Sequence, residues 1–213
     1  MTSLAVVDLL GALAYGELVS FERIASDARL APELEDNIVL AGIAATEYSH
    51  FVQVCDRLTQ LGFDPNQAME PFVAPLNQFH ANMSTDSWLE RVLMVYVADG
   101  IAADFYREMS THLDEQTASL VLHVLADAGQ TEFAVSRIRD AIAHDPKVAG
   151  RLALWGRRLM GEMISQATVV ASARPELQKL FFQVAGSADE ITAFVNRLTV
   201  GHARRMDVLG LAS

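Results

Sequence analysis

The residues with the clearest potential for chemistry are Glu47 and His50, which stand three positions apart in the segment 44–51. Residues at this spacing lie on one face of an α-helix, one turn apart, so both side chains can reach a common atom. Carboxylate and imidazole groups are ligands that suit iron or manganese. A single Glu-x-x-His pair is common by chance in 213 residues, so its weight depends on acids supplied by other helices.

Acidic side chains fall within apolar helical segments at four places, namely Glu17, Glu47, Asp99 and Glu132. Burying an unpaired carboxylate is costly, so each acid must be paired, protonated or bound to a cation. A shared pair of metal ions would satisfy all four. The first two acids are 30 residues apart and the last two 33, as expected for equal depths in two antiparallel hairpins. Asp104, 28 residues before Glu132, is the reserve candidate for the place of Asp99.

The apolar residues recur at helical spacing through most of the chain, which predicts an all-α fold. The expected helices run from about Ser3 to Leu30, Pro32 to Gly62, Ser87 to Ser110, Asp114 to His144, Pro146 to Ser172 and Asp189 to Leu209. Three prolines, at positions 65, 71 and 75, should prevent a continuous helix in the segment 63–85 and leave a short helical piece near 75–82.

These elements predict one domain, a four-helix bundle at about 3–144 with helices at about 146–209 packed against it. The segment 63–85 would be a long crossover between the second and third bundle helices. A weak internal repeat supports two similar hairpins, because segment 14–23 is similar to segment 98–107 at an offset of 84. Glu47 precedes Glu132 by 85 residues, nearly the same offset.

Composition limits the functional classes. Hydrophobic residues make up 51% of the chain and charged residues 20%, as in a globular protein, and the single cysteine, Cys55, excludes an internal disulfide or a thiolate metal cluster. The apolar segment 4–19 is interrupted by Asp8 and lacks a preceding basic residue, so it does not have the form of a signal peptide. We find no uncharged stretch of membrane-spanning length and expect a cytoplasmic protein.

The net charge of -11 is concentrated in the first half of the chain, because residues 1–100 carry -10 and residues 101–213 carry -1. An acidic surface repels a phosphate backbone, which disfavours a large nucleic-acid interface. The segment 137–158 is a local exception, with six basic residues against two acids. We expect a solvated helix surface there, or a docking surface if tRNA is the substrate.

With an acid on one helix and Glu-x-x-His on the next, residues 4–144 resemble the ferritin-like superfamily, whose bundle cores hold two metal ions. Glu17 with Glu47 and His50 matches the first half of that pattern. The second half departs from it, since Asp99 stands where glutamate is usual. Val135 stands three residues after the expected glutamate, where the family has histidine.

Three phrases make the chain similar to a narrower group that includes the tRNA isopentenyladenosine hydroxylase. They are LAYGEL at 13–18, DGIAADFYRE at 99–108 and GRLALWGRRL at 150–159. This resemblance implies a di-iron carboxylate site that uses dioxygen to hydroxylate or oxidise a small molecule or a modified nucleoside, with tRNA disfavoured by the net charge. Glu47 and Glu132 would bridge the two ions, Glu17 and His50 would complete one, and Asp99 the other.

Val135 leaves three alternatives open. In the first, the site holds two ions asymmetrically, with fewer ligands for the ion on the Asp99 side, and in the second it holds one ion. In the third alternative it holds none, and the chain is a ferritin-like scaffold that serves binding or assembly. Iron is the expected metal and manganese the substitute. Iron storage is disfavoured, because the chain continues for almost seventy residues after His144. We expect those residues to cover the site or to form a homodimer.

Overall fold

The computed structural model describes residues 3–126, 129–186 and 188–211. Within these residues all regular structure is helical, which confirms the predicted fold class. The helices are α1 (Leu4–Ala28), α2 (Leu34–Gln60), α3 (Pro65–Asn82), α4 (Trp88–Met109), α5 (Glu115–Val124), α6 (Gln130–His144), α7 (Lys147–Ala173), α8 (Pro175–Ala185) and α9 (Ala188–Val208). A 3₁₀ turn, Ser110–His112, joins α4 to α5.

The antiparallel pair α1 and α2 is the part of the fold that positions the candidate site. Ser3 caps α1, because its side-chain oxygen accepts a hydrogen bond from the Val6 N–H at 3.3 Å. One face of α1 is buried along most of the helix, and Glu17 lies on it with Leu10 and Leu13. The short connection between the helices packs α2 along this same face.

The expectation that prolines would break the crossover is wrong, since α3 is a single helix of 18 residues with Pro71 and Pro75 inside it. Pro65 occupies its first turn, where a missing N–H costs nothing, and Asp64 caps it by accepting from the Asn66 N–H at 2.9 Å. Packing offsets the hydrogen bonds that the two internal prolines remove.

The contact between α3 and α1 is unusually close. Gly11 of α1 lies against the backbone of α3, and a β carbon at position 11 would collide with the Ala68 carbonyl group. Phe72 and Phe79 continue this buried face of α3. A helix held this tightly on one side keeps its course through two prolines, because tertiary packing outweighs local propensity.

The predicted fourth helix from Asp114 to His144 is two helices. The chain leaves helical geometry after Val124, and Gly129 takes a positive φ of 102° immediately before α6 begins at Gln130. Glycine adopts this conformation without the steric cost that other residues incur. The break sets which residues of α6 face the bundle interior.

The C-terminal helices pack against the bundle, as predicted. The Trp155 Nε1–H of α7 donates to the Glu90 carbonyl of α4 at 3.2 Å, and α9 places Met206 directly over Gly156. At the other end, Leu177 and Leu180 of α8 join the buried cluster of α1. The extension therefore contributes to the same buried core as the four bundle helices.

Most of the basic residues in the segment 137–158 bind groups of the chain itself. Arg137 pairs with Asp36 at 2.6 Å and Arg151 with Glu90 at 3.3 Å, while Arg158 and Arg139 donate to backbone carbonyls of residues 82 and 208. Four of the six basic side chains are thus engaged internally. This reduces the positive surface that the sequence pattern suggests.

By length and hydropathy, α1 and α2 could each cross a membrane, but a buried core helix passes the same test. The most apolar window of α1 is 56% buried and that of α2 only 33%. The difference shows that α2 keeps an apolar surface that the described part of the chain does not cover.

Candidate metal centre

Two carboxylates and an imidazole meet between α1 and α2. Glu17 comes from α1, and Glu47 and His50 come from successive turns of α2. All three are buried, with exposures of 7%, 5% and 6%, and one ligand atom from each lies within 4.8 Å of the other two. The structure therefore brings these three predicted residues together.

Two donor atoms at the centre of this cluster face each other without a hydrogen bond. The Nδ1 atom of His50 lies 3.5 Å from the Oε2 atom of Glu17, and neither has a hydrogen-bond partner among the described residues. Buried polar atoms are nearly always satisfied. Atoms at this separation can both lie about 2.1 Å from one ion, the usual distance for divalent metals bound by imidazole nitrogen and carboxylate oxygen. The donor set and its unsatisfied atoms fit a metal ion.

The electrostatics of the cluster favour one shared proton when no cation is bound. Burial raises the pKa of both carboxyl groups from 4.5 to about 8, and the charge of Glu17 adds to the effect on Glu47. The two carboxyl groups also form a hydrogen bond with each other, which requires that at least one of them holds a proton when no cation is bound. Burial lowers the pKa of His50, so its imidazole is neutral and able to bind a metal.

A residue outside the predicted set takes part in the site. Gln130, at the start of α6, is buried and donates from Nε2 to Oε1 of Glu47 at 2.6 Å. Its amide fixes the orientation of the Glu47 carboxyl group. Gln130 is neither an acid nor a histidine, so the spacing of such residues along the sequence does not point to it.

Glu132, by contrast, does not join the cluster. Glu132 is exposed in the first turn of α6. It comes two residues after Gln130 and therefore lies on nearly the opposite face of the helix. The prediction that Glu132 is buried in the core is wrong, because the break at Gly129 rotates α6 relative to a continuous helix. Val135 packs against the apolar core and so takes no ligand position.

Asp99 borders the cluster from α4. It is half-buried, and its negative charge raises the pKa of Glu17, although less than burial does. The reserve residue, Asp104, faces another way and pairs with Arg107 at 2.9 Å and Arg205 at 2.8 Å. Asp99 is therefore the nearer of the two acids to the cluster, and its role as a ligand stays a prediction.

A family model described as a ferritin-like domain of actinomycetes matches residues 2–184. The chain belongs to this ferritin-like family. A comparison with curated proteins finds no match.

A second histidine lies at the rim of the ferritin-like site. The ring of His123, on α5, stands edge-on to the ring of His50 with 5.9 Å between the centroids, and its side chain is exposed. His123 is not among the residues that the sequence predicts for the site.

A small cavity adjoins the ferritin-like site between α1, α2, α4 and α6. Its volume of about 10 Å³ is enough for one molecule of the size of water. Apolar side chains line most of it, Gln130 forms one end, and the ion pair between Asp27 and Arg91 forms another part of the wall. Gln130 therefore contacts both this cavity and the carboxylate of Glu47.

Proposed function

We propose that this ferritin-like chain binds one divalent iron or manganese ion through Glu17, Glu47 and His50, and that it oxidises a small substrate with dioxygen or hydroxylates it with dioxygen and two electrons from an external reductant. The observation that carries the proposal is the convergence of three buried donor groups, two of whose atoms lack hydrogen bonds. Desolvated carboxylates beside a neutral imidazole bind a divalent cation far better than the same groups in water.

Each residue has a defined task. Glu17 and His50 supply the two unsatisfied atoms, and Glu47 supplies a carboxylate that must release its proton when the cation binds. Gln130 holds one oxygen of Glu47, and Asp99 adds negative charge from α4. An iron ion bound here would supply the binding and activation of dioxygen, while the burial of the three donor residues limits the access of bulk water.

One ion fits the donor set better than two. A second ion needs carboxylates on the α4 and α6 side, where Asp99 stands at the border and Glu132 is exposed. The amide of Gln130 occupies the oxygen of Glu47 that would face such an ion. A di-iron centre would require Gln130 to withdraw.

The substrate in this proposal is a small molecule or a modified nucleoside rather than a whole tRNA. Similarity to the group of the tRNA isopentenyladenosine hydroxylase supports the nucleoside. The net charge of -11 and the internal bonding of most basic residues in the segment 137–158 both weaken the case for a tRNA surface.

Metal content tests the proposal directly. We expect elemental analysis of protein produced in iron-supplemented medium to give about one iron or manganese per chain, and His50→Ala to lose it. His144→Ala is the matched control, since His144 is exposed on α6. Dioxygen uptake by the iron(II)-loaded protein should likewise disappear in His50→Ala. Equal metal in the two histidine variants would refute the site, and metal binding without dioxygen uptake would refute the oxidation.

A second candidate is a scaffold without metal, and one contact favours it. Gln130 together with the shared proton satisfies Glu47 without a cation. In that case the wild type would contain no iron or manganese even after metal is added to the purified protein. Its function would then be binding or assembly.

A further inference from the structure

The outer face of α2 carries an apolar stripe that the described part of the chain leaves mostly uncovered, with Tyr48 at one edge also touching Phe21 of α1. The stripe consists of six exposed residues, Leu34, Ile38, Ala41, Ala45, Tyr48 and Val52. Leu34 is 74% exposed and Ile38 63%, and the space beyond Gly42 is open for at least 4 Å. Large apolar residues exposed together on one helix face mark an interaction site.

The spacing along the stripe is that of a coiled coil. Successive members are separated by alternating steps of four and three residues, so the stripe repeats every 3.5 residues and stays on one side of the helix. The buried face of α2, which includes Leu40, Glu47 and Val54, has the same spacing two positions later and therefore points the opposite way. A helix that is apolar on both faces belongs between two packed layers.

The stripe is complementary to itself when it is reversed. In an antiparallel pair centred near residue 43, Leu34 meets Val52 of the second copy, Ile38 meets Tyr48, and Ala41 meets Ala45. Each contact joins an a position of one copy to a d position of the other, which is the pairing found in antiparallel coiled coils. Small residues at the centre let the helices approach closely, and large ones at both ends fill the space between them.

Charge agrees with this pairing. No member of the stripe is charged, so the seam itself joins no like charges. Glu33 lies at the level of Gln53, so no like charges face each other there. A membrane fits less well, because residues 1–100 carry a net charge of -10.

We propose that α2 is the interface of a homodimer in which two copies of this chain pair antiparallel along the stripe. The stripe from Leu34 to Val52 is about 27 Å long at 1.5 Å per residue. One helix pair of this length contributes fewer residues than the 20–30 per side of a standard interface. We therefore expect a reversible dimer whose fraction depends on protein concentration.

Light scattering on a sizing column tests the dimer. The mass of the wild type should rise from 23.3 kDa towards twice that value across the micromolar range, whereas Ile38→Glu should remain at 23.3 kDa. Leu154→Glu is the matched control, because Leu154 is 63% exposed on α7 and distant from the stripe in sequence. It should associate as the wild type does. Circular dichroism would establish that both variants are folded.

Cysteine crosslinking tests the orientation. In a Cys55→Ser background, Gly42→Cys places the two thiols about 3 Å apart along the helix axis, while Ser49→Cys separates them by about 18 Å in an antiparallel pair. A short bis-maleimide should therefore join the first variant and not the second. Crosslinking of both would indicate a parallel pair and overturn the proposal. So would a wild type that stays monomeric at every concentration, whether or not it binds lipid vesicles. Neither result depends on metal.

Discussion

Replacement of Glu47 by glutamine should stabilise the metal-free protein, and should do so only above about pH 5. The glutamine amide can accept from Gln130 and donate to Glu17, so it imitates the protonated form of Glu47 that the structure favours. It cannot ionise. The wild type, in contrast, must ionise a second buried carboxylate as the pH rises.

The magnitude follows from the pKa. A carboxyl group whose pKa is raised from 4.5 to about 8 costs the folded state about 5 kcal/mol once it is fully ionised. The folded state holds more protons than the unfolded state between these two values, so stability falls as the pH rises. The cost is absent below about pH 4.5, grows through the neutral range and is complete above about pH 8. Since the two acids are coupled, we expect a gain of about 3–5 kcal/mol for Glu47→Gln at pH 8.5.

Thermal unfolding in the presence of a chelator measures this effect. A gain of that size should raise the Tm of Glu47→Gln by roughly 6–20 °C above the wild type at pH 8.5, and the two should nearly coincide at pH 5. Glu132→Gln removes the same charge from an exposed position of α6 and should change little at either pH. The reasoning fails if Glu47→Gln differs from the wild type equally at both pH values, or if the two glutamine variants behave alike.

Two other substitutions follow from contacts in the structure. Gln130→Glu adds a third buried acid to the cluster and should raise the affinity for manganese at least tenfold in titration calorimetry. Thr131→Glu, at the exposed neighbouring position, should leave the affinity unchanged. Equal affinities of the two variants would exclude position 130 from the site. Gly11→Ala should destabilise the fold by about 1–3 kcal/mol in urea unfolding, because the new β carbon collides with the Ala68 carbonyl. Gly161→Ala is the control and should be neutral or stabilising, because its β carbon would meet no other part of the described chain within 4 Å. An unchanged stability of Gly11→Ala would mean that α3 moves away freely.

The part of the site on α1 and α2 was predictable because each helix is regular over its whole length. The apolar period placed Glu17 on the buried face of α1, and the three-residue spacing placed Glu47 and His50 on one face of α2. In a hairpin of two continuous helices, the number of residues between two positions tells how far along the helix axes each one lies. The structure confirms that the three residues meet.

The α6 side could not be located by the same counting. The depth argument for Glu132 assumed one helix from Asp114 to His144, but the backbone turns at Gly129. A search for acids also passes over an amide such as Gln130. The internal repeat already disagreed with the choice of Glu132. Its two segments are 84 residues apart, whereas Glu132 lies 85 residues after Glu47. Gln130 lies 83 residues after the glutamate it contacts.

The prolines of α3 misled for a different reason. Proline removes a hydrogen bond and is a reliable local signal, but the segment around Pro71 and Pro75 also carries Phe72 and Phe79 on one face. Their burial against α1 depends on Gly11, more than fifty residues earlier in the chain. A signal of that range cannot be seen in a local pattern.

The two proposals meet in α2. This helix carries Glu47 and His50 on its inner face and the apolar stripe on its outer face, so dimerisation would hold the ligand helix between α1 and a second copy. The buried carboxylates have three kinds of partner, namely a proton, the hydrogen-bonding amide of Gln130 and a cation. The proton and the amide allow the carboxyl groups to stay buried without a cation. A cation that binds must displace the shared proton. Metal binding is therefore linked to pH through Glu47, while the dimer interface, which contains no titratable acid along its seam, is not.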